Sequence, residues 1–123
     1  MTKEELIIIT KDRISKKGHG FCTPYKEESK FQTRLIYTLK DLYGDDIWFF
    51  KAADRYSSGI PDTLGCIHGK FFAFELKDDK GKATTLQRMV MERIKNAGGK
   101  VWVVRTVEET LKSMITILDT LEY

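Results

Sequence analysis

Apolar residues recur at helical spacing in three stretches of the chain. Phe31, Leu35, Leu39 and Leu42, flanked by Ile36 and Tyr43, predict a helix over about 26–43. Leu86, Val90, Ile94 and Ala97 predict a second over 85–97, with Thr84 or Thr85 as cap and Gly98-Gly99 as stop. Leu111, Met114, Ile115, Leu118 and Leu121 predict a third, opened by a capping box at Thr106-Val107-Glu108-Glu109. The segments between them read as strands. Gly44-Asp45-Asp46 ends the first helix, and the aromatic-rich run from Ile47 to Ala53 follows. A strand opens at Pro61-Asp62, a position where the missing ladder donor of proline is tolerated. Phe71 to Leu76 is apolar except for Glu75, and Lys100 to Arg105 reads as a buried strand. Residues 1–24 are the least readable. Leu6 to Thr10 fits an edge strand or a short helix, and a loop runs from Ser15 to Thr23-Pro24.

The stretch Gly59 to Gln87 carries the candidate chemistry. If His68-Gly69 is a two-residue turn, Ile67 pairs with Lys70, Cys66 faces Phe71, Leu64 faces Ala73 and Asp62 faces Glu75. Alternation places Lys77 on the same face as Glu75. Two directly opposed carboxylates repel, and a divalent cation is the simplest offset, because hard cations take carboxylate oxygens. The plainer alternative makes Asp62 a turn residue and Glu75 the partner of a surface lysine. Against it, Glu75 and Lys77 sit in or beside an apolar run where stray charge is costly. Glu28 projects onto the apolar stripe of the first predicted helix. It either favours that helix's N-terminus or points at the carboxylates. Gln87 lies beside Ile94 on the inner face of the second helix, and is otherwise an ordinary helix former.

Composition narrows the class. With 123 residues, 41% hydrophobic and 32% charged, the chain predicts one globular domain with one core. No apolar run approaches the ~18 residues a membrane helix needs. Leu6-Ile7-Ile8-Ile9 is too short for a secretory signal and follows two acids. Cys22 and Cys66 make no disulfide framework, which points to a reducing, cytoplasmic setting. No CxxC or HxxxH spacing suggests zinc; His19 and His68 read as loop and turn residues. The net charge of +3 is compatible with a nucleic-acid partner without requiring one.

Pro61-Asp62 followed by Glu75-Leu76-Lys77 resembles the PD-(D/E)XK nuclease signature, and within that superfamily the chain is most similar to the VRR-NUC type. The likeness rests on Glu28, Gly59-Ile60-Pro61-Asp62, Glu75-Leu76-Lys77, Gly81-Lys82 and Gln87, in that order, and spans roughly residues 27–105. It implies an α/β fold: a restriction-endonuclease-like αβββαβ core, a mixed sheet flanked by helices, and an extra C-terminal helix. It divides the chain into an arm, 1–24, and a nuclease domain, 25–123. The arm's role stays open between covering the core, contacting DNA and joining a dimer.

The resemblance further implies a metal-dependent endodeoxyribonuclease. Asp62, Glu75 and the Leu76 carbonyl would hold Mg²⁺, with Mn²⁺ able to substitute. Glu28 would bind the metal through water or shape a second metal position. Lys77 would orient the attacking water, and Gln87 would position the lysine, the water or the phosphate. Lys51, Arg55, Ser58, Lys80 and Lys82 are expected to contact the DNA backbone. Small phage and bacterial members of the type resemble Holliday junction resolvases and act as homodimers, so branched DNA, an intracellular location and a second copy are expected. The alternatives are a flap or nicking nuclease of the same fold, or a DNA-binding module without catalysis.

Overall fold

The computed structural model describes residues 1–16, 21–52 and 59–120. Its elements are α1 (Lys3–Ser15), α2 (Glu28–Tyr43), β1 (Ile47–Lys51), β2 (Thr63–Ile67), β3 (Lys70–Leu76), α3 (Thr85–Asn96), β4 (Lys100–Val104) and α4 (Val107–Asp119), with a 3₁₀ turn at Gly44–Asp46. The four strands form one mixed sheet in the order β1-β2-β3-β4. β1–β2 and β2–β3 are antiparallel, and β3–β4 is parallel, joined through α3. This is the predicted αβββαβ order with a C-terminal helix. Arg55 and Ser58, with the rest of the 53–58 loop, lie outside the described residues, as do Lys17, His19 and Leu121.

The hairpin register is the predicted one: Ile67 pairs with Lys70, Cys66 with Phe71 and Leu64 with Ala73. His68 and Gly69 both take positive φ, 49° and 78°, as a tight hairpin turn requires. His68 also does something its turn position does not announce: its Nε2 lies 3.0 Å from Asp46 Oδ1 and ties the turn to the 3₁₀ segment. β2 begins at Thr63, after the Pro61-Asp62 pair, although Asp62 still accepts a hydrogen bond from Ala52 N at 2.7 Å.

Alternation along β3 divides the molecule into two layers. Phe72, Phe74 and Leu76 join Ile47, Ile67, Val104 and the buried faces of α1, α2 and α4 in the main core. Ala73 faces the other way, against Val101 and Met91 of α3. Glu75 follows Ala73 by two residues, so the pleat alone sends it to the α3 side. Gly65 lets the layers close: a Cβ there would meet the Trp48 carbonyl oxygen at 2.5 Å and Phe72 Cζ at 2.7 Å.

Two expected faces are corrected. In α3, Leu86 is 41% exposed and Ala97 is exposed, while Met91 is buried and Gln87, Val90 and Ile94 are half-buried. The inward stripe is 87–91–94, rotated from the predicted one, because Leu86 lies instead against the backbone of Gly59. In α4, Ile117 is buried where Ile115 is only half-buried. The ambiguous Leu6 to Thr10 segment is helix. A capping box between Thr2 and Glu5 starts it, and Leu6 and Thr10, one turn apart, are its buried residues. Thr10 Oγ1 and Tyr43 Oη are 2.6 Å apart in the core, and burial pushes the Tyr43 phenol up to about 12. No helix among the described residues is long and apolar enough to cross a membrane.

Candidate active site

The carboxylates of Asp62 and Glu75 come together at the end of the β2–β3 pair, on the face that α3 covers. Thr63 pairs with Phe74, so Asp62 stands one step beyond the ladder, level with Glu75. Asp62 is fixed there by the backbone: Leu76 N donates to Asp62 Oδ2 at 2.8 Å.

Glu75 is 1% exposed. Its Oε1 accepts from Gln87 Nε2 at 3.0 Å and lies 3.4 Å from Lys77 Nζ. Its Oε2 is buried, and among the described residues no donor is offered to it. A buried ionised carboxylate needs pairing, and half of this one has none. Burial pushes the Glu75 carboxyl up to about 8; the charge of Asp62 pushes the same way, as does the bond to Asp62 that only a protonated Glu75 can donate, against the pull of Lys77.

Gln87 is held at both ends of its amide. Its Oε1 accepts from Thr84 N at 2.9 Å while Thr84 Oγ1 accepts from Gln87 N at 3.1 Å, the reciprocal box that opens α3. Because its oxygen must accept from that N–H, its nitrogen is the atom turned to Glu75. Local helix capping thus aims a tertiary contact.

Glu28 opens α2, half-buried, at the rim of the same site. Burial and the charges of Asp62 and Asp78 raise its carboxyl above the ordinary range, with Lys77 opposing. Among the described residues no three His, Cys, Asp or Glu side chains converge as a metal cluster. The close donor set is therefore the pair Asp62 and Glu75. Two carboxylates, one with a stranded buried oxygen, suit a hard divalent cation that completes its shell with water and phosphate oxygens.

The loop after β3 is ordered by residues the sequence did not flag. Asp78 Oδ1 accepts from Lys80 N at 3.0 Å and Gly81 N at 2.6 Å, and Arg105 donates to the Asp78 carbonyl at 2.7 Å. Asp79 N donates to the Tyr25 carbonyl at 2.9 Å. The Asp-x-x-Gly spacing was the available signal for the turn; nothing local announces Arg105 or Tyr25. Gly81 packs against the Lys77 stem, where a Cβ would come within 3.3 Å of its Cδ. Lys80 and Lys82 are exposed on this loop, and Lys51 is exposed on β1 opposite Thr63, next to Asp62.

No family model matches the sequence, and no curated protein matches it. A solved structure described as a VRR_NUC domain matches 68% of this chain and 92% of its own, at 24% identity and a TM-score of 0.53. The fold is that of a VRR_NUC domain. The motif residues that suggested this fold, Asp62, Glu75 and Lys77, are brought to one corner of it. Gln87 reaches that corner through the α3 cap and Glu28 through the start of α2.

Proposed function

We propose that the chain is a metal-dependent endonuclease hydrolysing phosphodiester bonds in DNA, with branched DNA of the Holliday-junction kind as the preferred substrate. The observation that carries this reading is the meeting of Asp62 with a buried, half-partnered Glu75 beside the Lys77 ammonium. The name of the structural neighbour, a VRR_NUC domain, points the same way.

Asp62 and Glu75 would hold Mg²⁺ or Mn²⁺, with the Leu76 carbonyl as a further oxygen ligand. When bound, the ion supplies acidity to water and neutralises charge developing on the phosphate. Lys77 orients the attacking water and stabilises the oxyanion with a preorganised charge. Gln87 fixes the Glu75 carboxylate and, through it, Lys77. Glu28, at the rim, would bind the ion through water or shape a second metal position; burial and the charges of Asp62 and Asp78 raise its carboxyl, the repulsion a bound cation would offset. Lys51, Lys80 and Lys82 neutralise backbone phosphates on either side. Arg55 and Ser58 are proposed for the same role. Work as an intracellular homodimer fits a substrate with two symmetry-related strands.

The test is cleavage of labelled four-way, flap, nicked and linear DNA with Mg²⁺ or Mn²⁺. Metal-dependent cutting, strongest on the four-way substrate and lost in Asp62→Asn, Glu75→Gln and Lys77→Ala, is expected. Cutting of flap or nicked DNA in preference would reassign the substrate. Absence of metal-dependent cutting on every substrate would leave a binding module and reject the reading.

A further inference from the structure

We propose that the outward groove of α2 carries the sugar-phosphate backbone of a nucleic-acid strand away from the carboxylate site; this rests on the nuclease reading above and extends it to a surface. The groove, about 700 Å³, is lined by Tyr25, Ser29, Lys30, Thr33, Arg34 and Tyr37. Two cations, two aliphatic hydroxyls and two phenols face it, and no acid is in the lining. Those are the side chains that contact phosphate and sugar.

Sequence spacing makes the groove a track. Positions 29, 30, 33, 34 and 37 share one helical face, opposite the Phe31, Leu35 and Leu39 stripe that binds α2 to the core. From Ser29 to Tyr37 the track spans about 12 Å. Its first residue, Ser29, follows Glu28 in sequence, while Glu28 itself projects onto the opposite face, toward the carboxylate site. Tyr25 closes that end: its ring stacks on Phe31 with centroids 5.4 Å apart, and its carbonyl holds Asp79 of the loop that carries Lys80 and Lys82. Tyr25 thus ties the track to the loop that carries Lys80 and Lys82.

Thr33 Oγ1 is taken up by the Ser29 carbonyl at 3.0 Å, but the two cations and Tyr37 are open to a ligand. The Arg34 guanidinium makes no hydrogen bond or ion pair among the described residues, its carbonyl alone accepting from Thr38 Oγ1 at 2.8 Å, and Tyr37 is 64% exposed. Lys30 lies 3.7 Å from Glu27, but both side chains are well exposed, and such pairs hold weakly. A guanidinium with no internal partner in a groove free of acids complements a polyanion.

The test is fluorescence anisotropy of labelled single-stranded and duplex DNA with EDTA present, over a salt series, for the wild-type chain and a Lys30→Ala/Arg34→Ala double variant. Both residues are solvent-facing, and a matching thermal melt checks the fold. The double variant is expected to bind about tenfold more weakly or worse. Its log–log salt slope should fall by roughly 1.4–1.8, the release of two phosphate contacts. Tyr37→Ala weakening only the single-stranded arm identifies an unpaired strand in the groove; equal loss of both arms by the double variant identifies duplex backbone. Unchanged affinity and slope in the double variant overturns the proposal, as does a wild-type chain that binds no nucleic acid. The two readings separate cleanly: metal-dependent cutting with normal binding by the double variant removes the groove and leaves the nuclease. Groove-dependent binding without cutting in any metal removes the nuclease and leaves the groove.

Discussion

At Glu75 a carboxylate is folded into a site with one oxygen bonded to Gln87 and the other buried with no donor offered to it among the described residues. Its carboxyl, held up to about 8, binds a proton in the folded chain that the unfolded chain releases near its ordinary 4.5. The stability this group contributes is therefore complete below the ordinary carboxylate range and is lost as pH rises toward 8. In EDTA, the melting temperature of the wild-type chain is expected to fall from pH 5 to pH 9 relative to Glu75→Gln. A variant that tracks the wild type across that window would refute the assignment. Asp62, Lys77 and Gln87 all face the group, so Asp62→Asn should flatten the same slope in part. Lys77 is the residue whose loss should touch chemistry most and folding least. Lys77→Ala is expected to lower cleavage about 10²–10³-fold, as removal of a preorganised charge does, with the melt little changed. Retention of full activity would remove the lysine from the reaction.

The elements explain why these side chains meet and how much of that was legible. The hairpin could be read in advance because a period-2 pattern and a His-Gly turn fix the register, and the register alone sets Asp62 level with Glu75. Gln87 was legible as an inward residue of α3, but not as a bridge: its double role depends on the Thr84 cap and Glu75 being neighbours in space. Thr84→Ala is expected to cost about 1 kcal/mol in a denaturant titration, and Gln87→Ala to lower cleavage as well, by removing the amide that holds Glu75. Undiminished cleavage by Gln87→Ala would show the bridge to be idle. α1 stayed open between strand and helix in the sequence because Leu6-Ile7-Ile8-Ile9 is a continuous apolar run without periodicity, and only Leu6 of the four is fully buried while Ile8 is 64% exposed. α3 was read with its face rotated because Leu86 looks like a core residue; its partner is the backbone of Gly59, a contact no local pattern reveals. Gly59 takes φ 79°, and a Cβ there would come within 2.8 Å of the Leu86 carbonyl oxygen. Gly59→Ala should therefore destabilise the chain by roughly 1–3 kcal/mol and displace Asp62, read as a joint fall in unfolding midpoint and cleavage.

Over the whole molecule, the sheet has one face sealed by α1, α2 and α4 and another that α3 covers only in part. Trp48 and Phe50 stand 61% and 46% exposed on that second face at the β1 edge, and Phe71 of β3 is 44% exposed on the same face. Contiguous exposed apolar surface marks a contact site, and an open edge strand invites pairing. If the proposed homodimer uses this edge, Trp48→Lys should convert a dimer to a monomer in sedimentation at micromolar concentration. An unchanged sedimentation coefficient would move the interface elsewhere. The fold as a whole is a frame that holds two acids together at the cost of their repulsion, and the central claim is that a divalent ion relieves it. Calorimetric titration of the chain with Mn²⁺ near pH 8 tests this most directly. The prediction is binding by the wild type, with proton release below pH 8, and none by Asp62→Asn or Glu75→Gln. Equal binding by all three proteins, or by none, would contradict it.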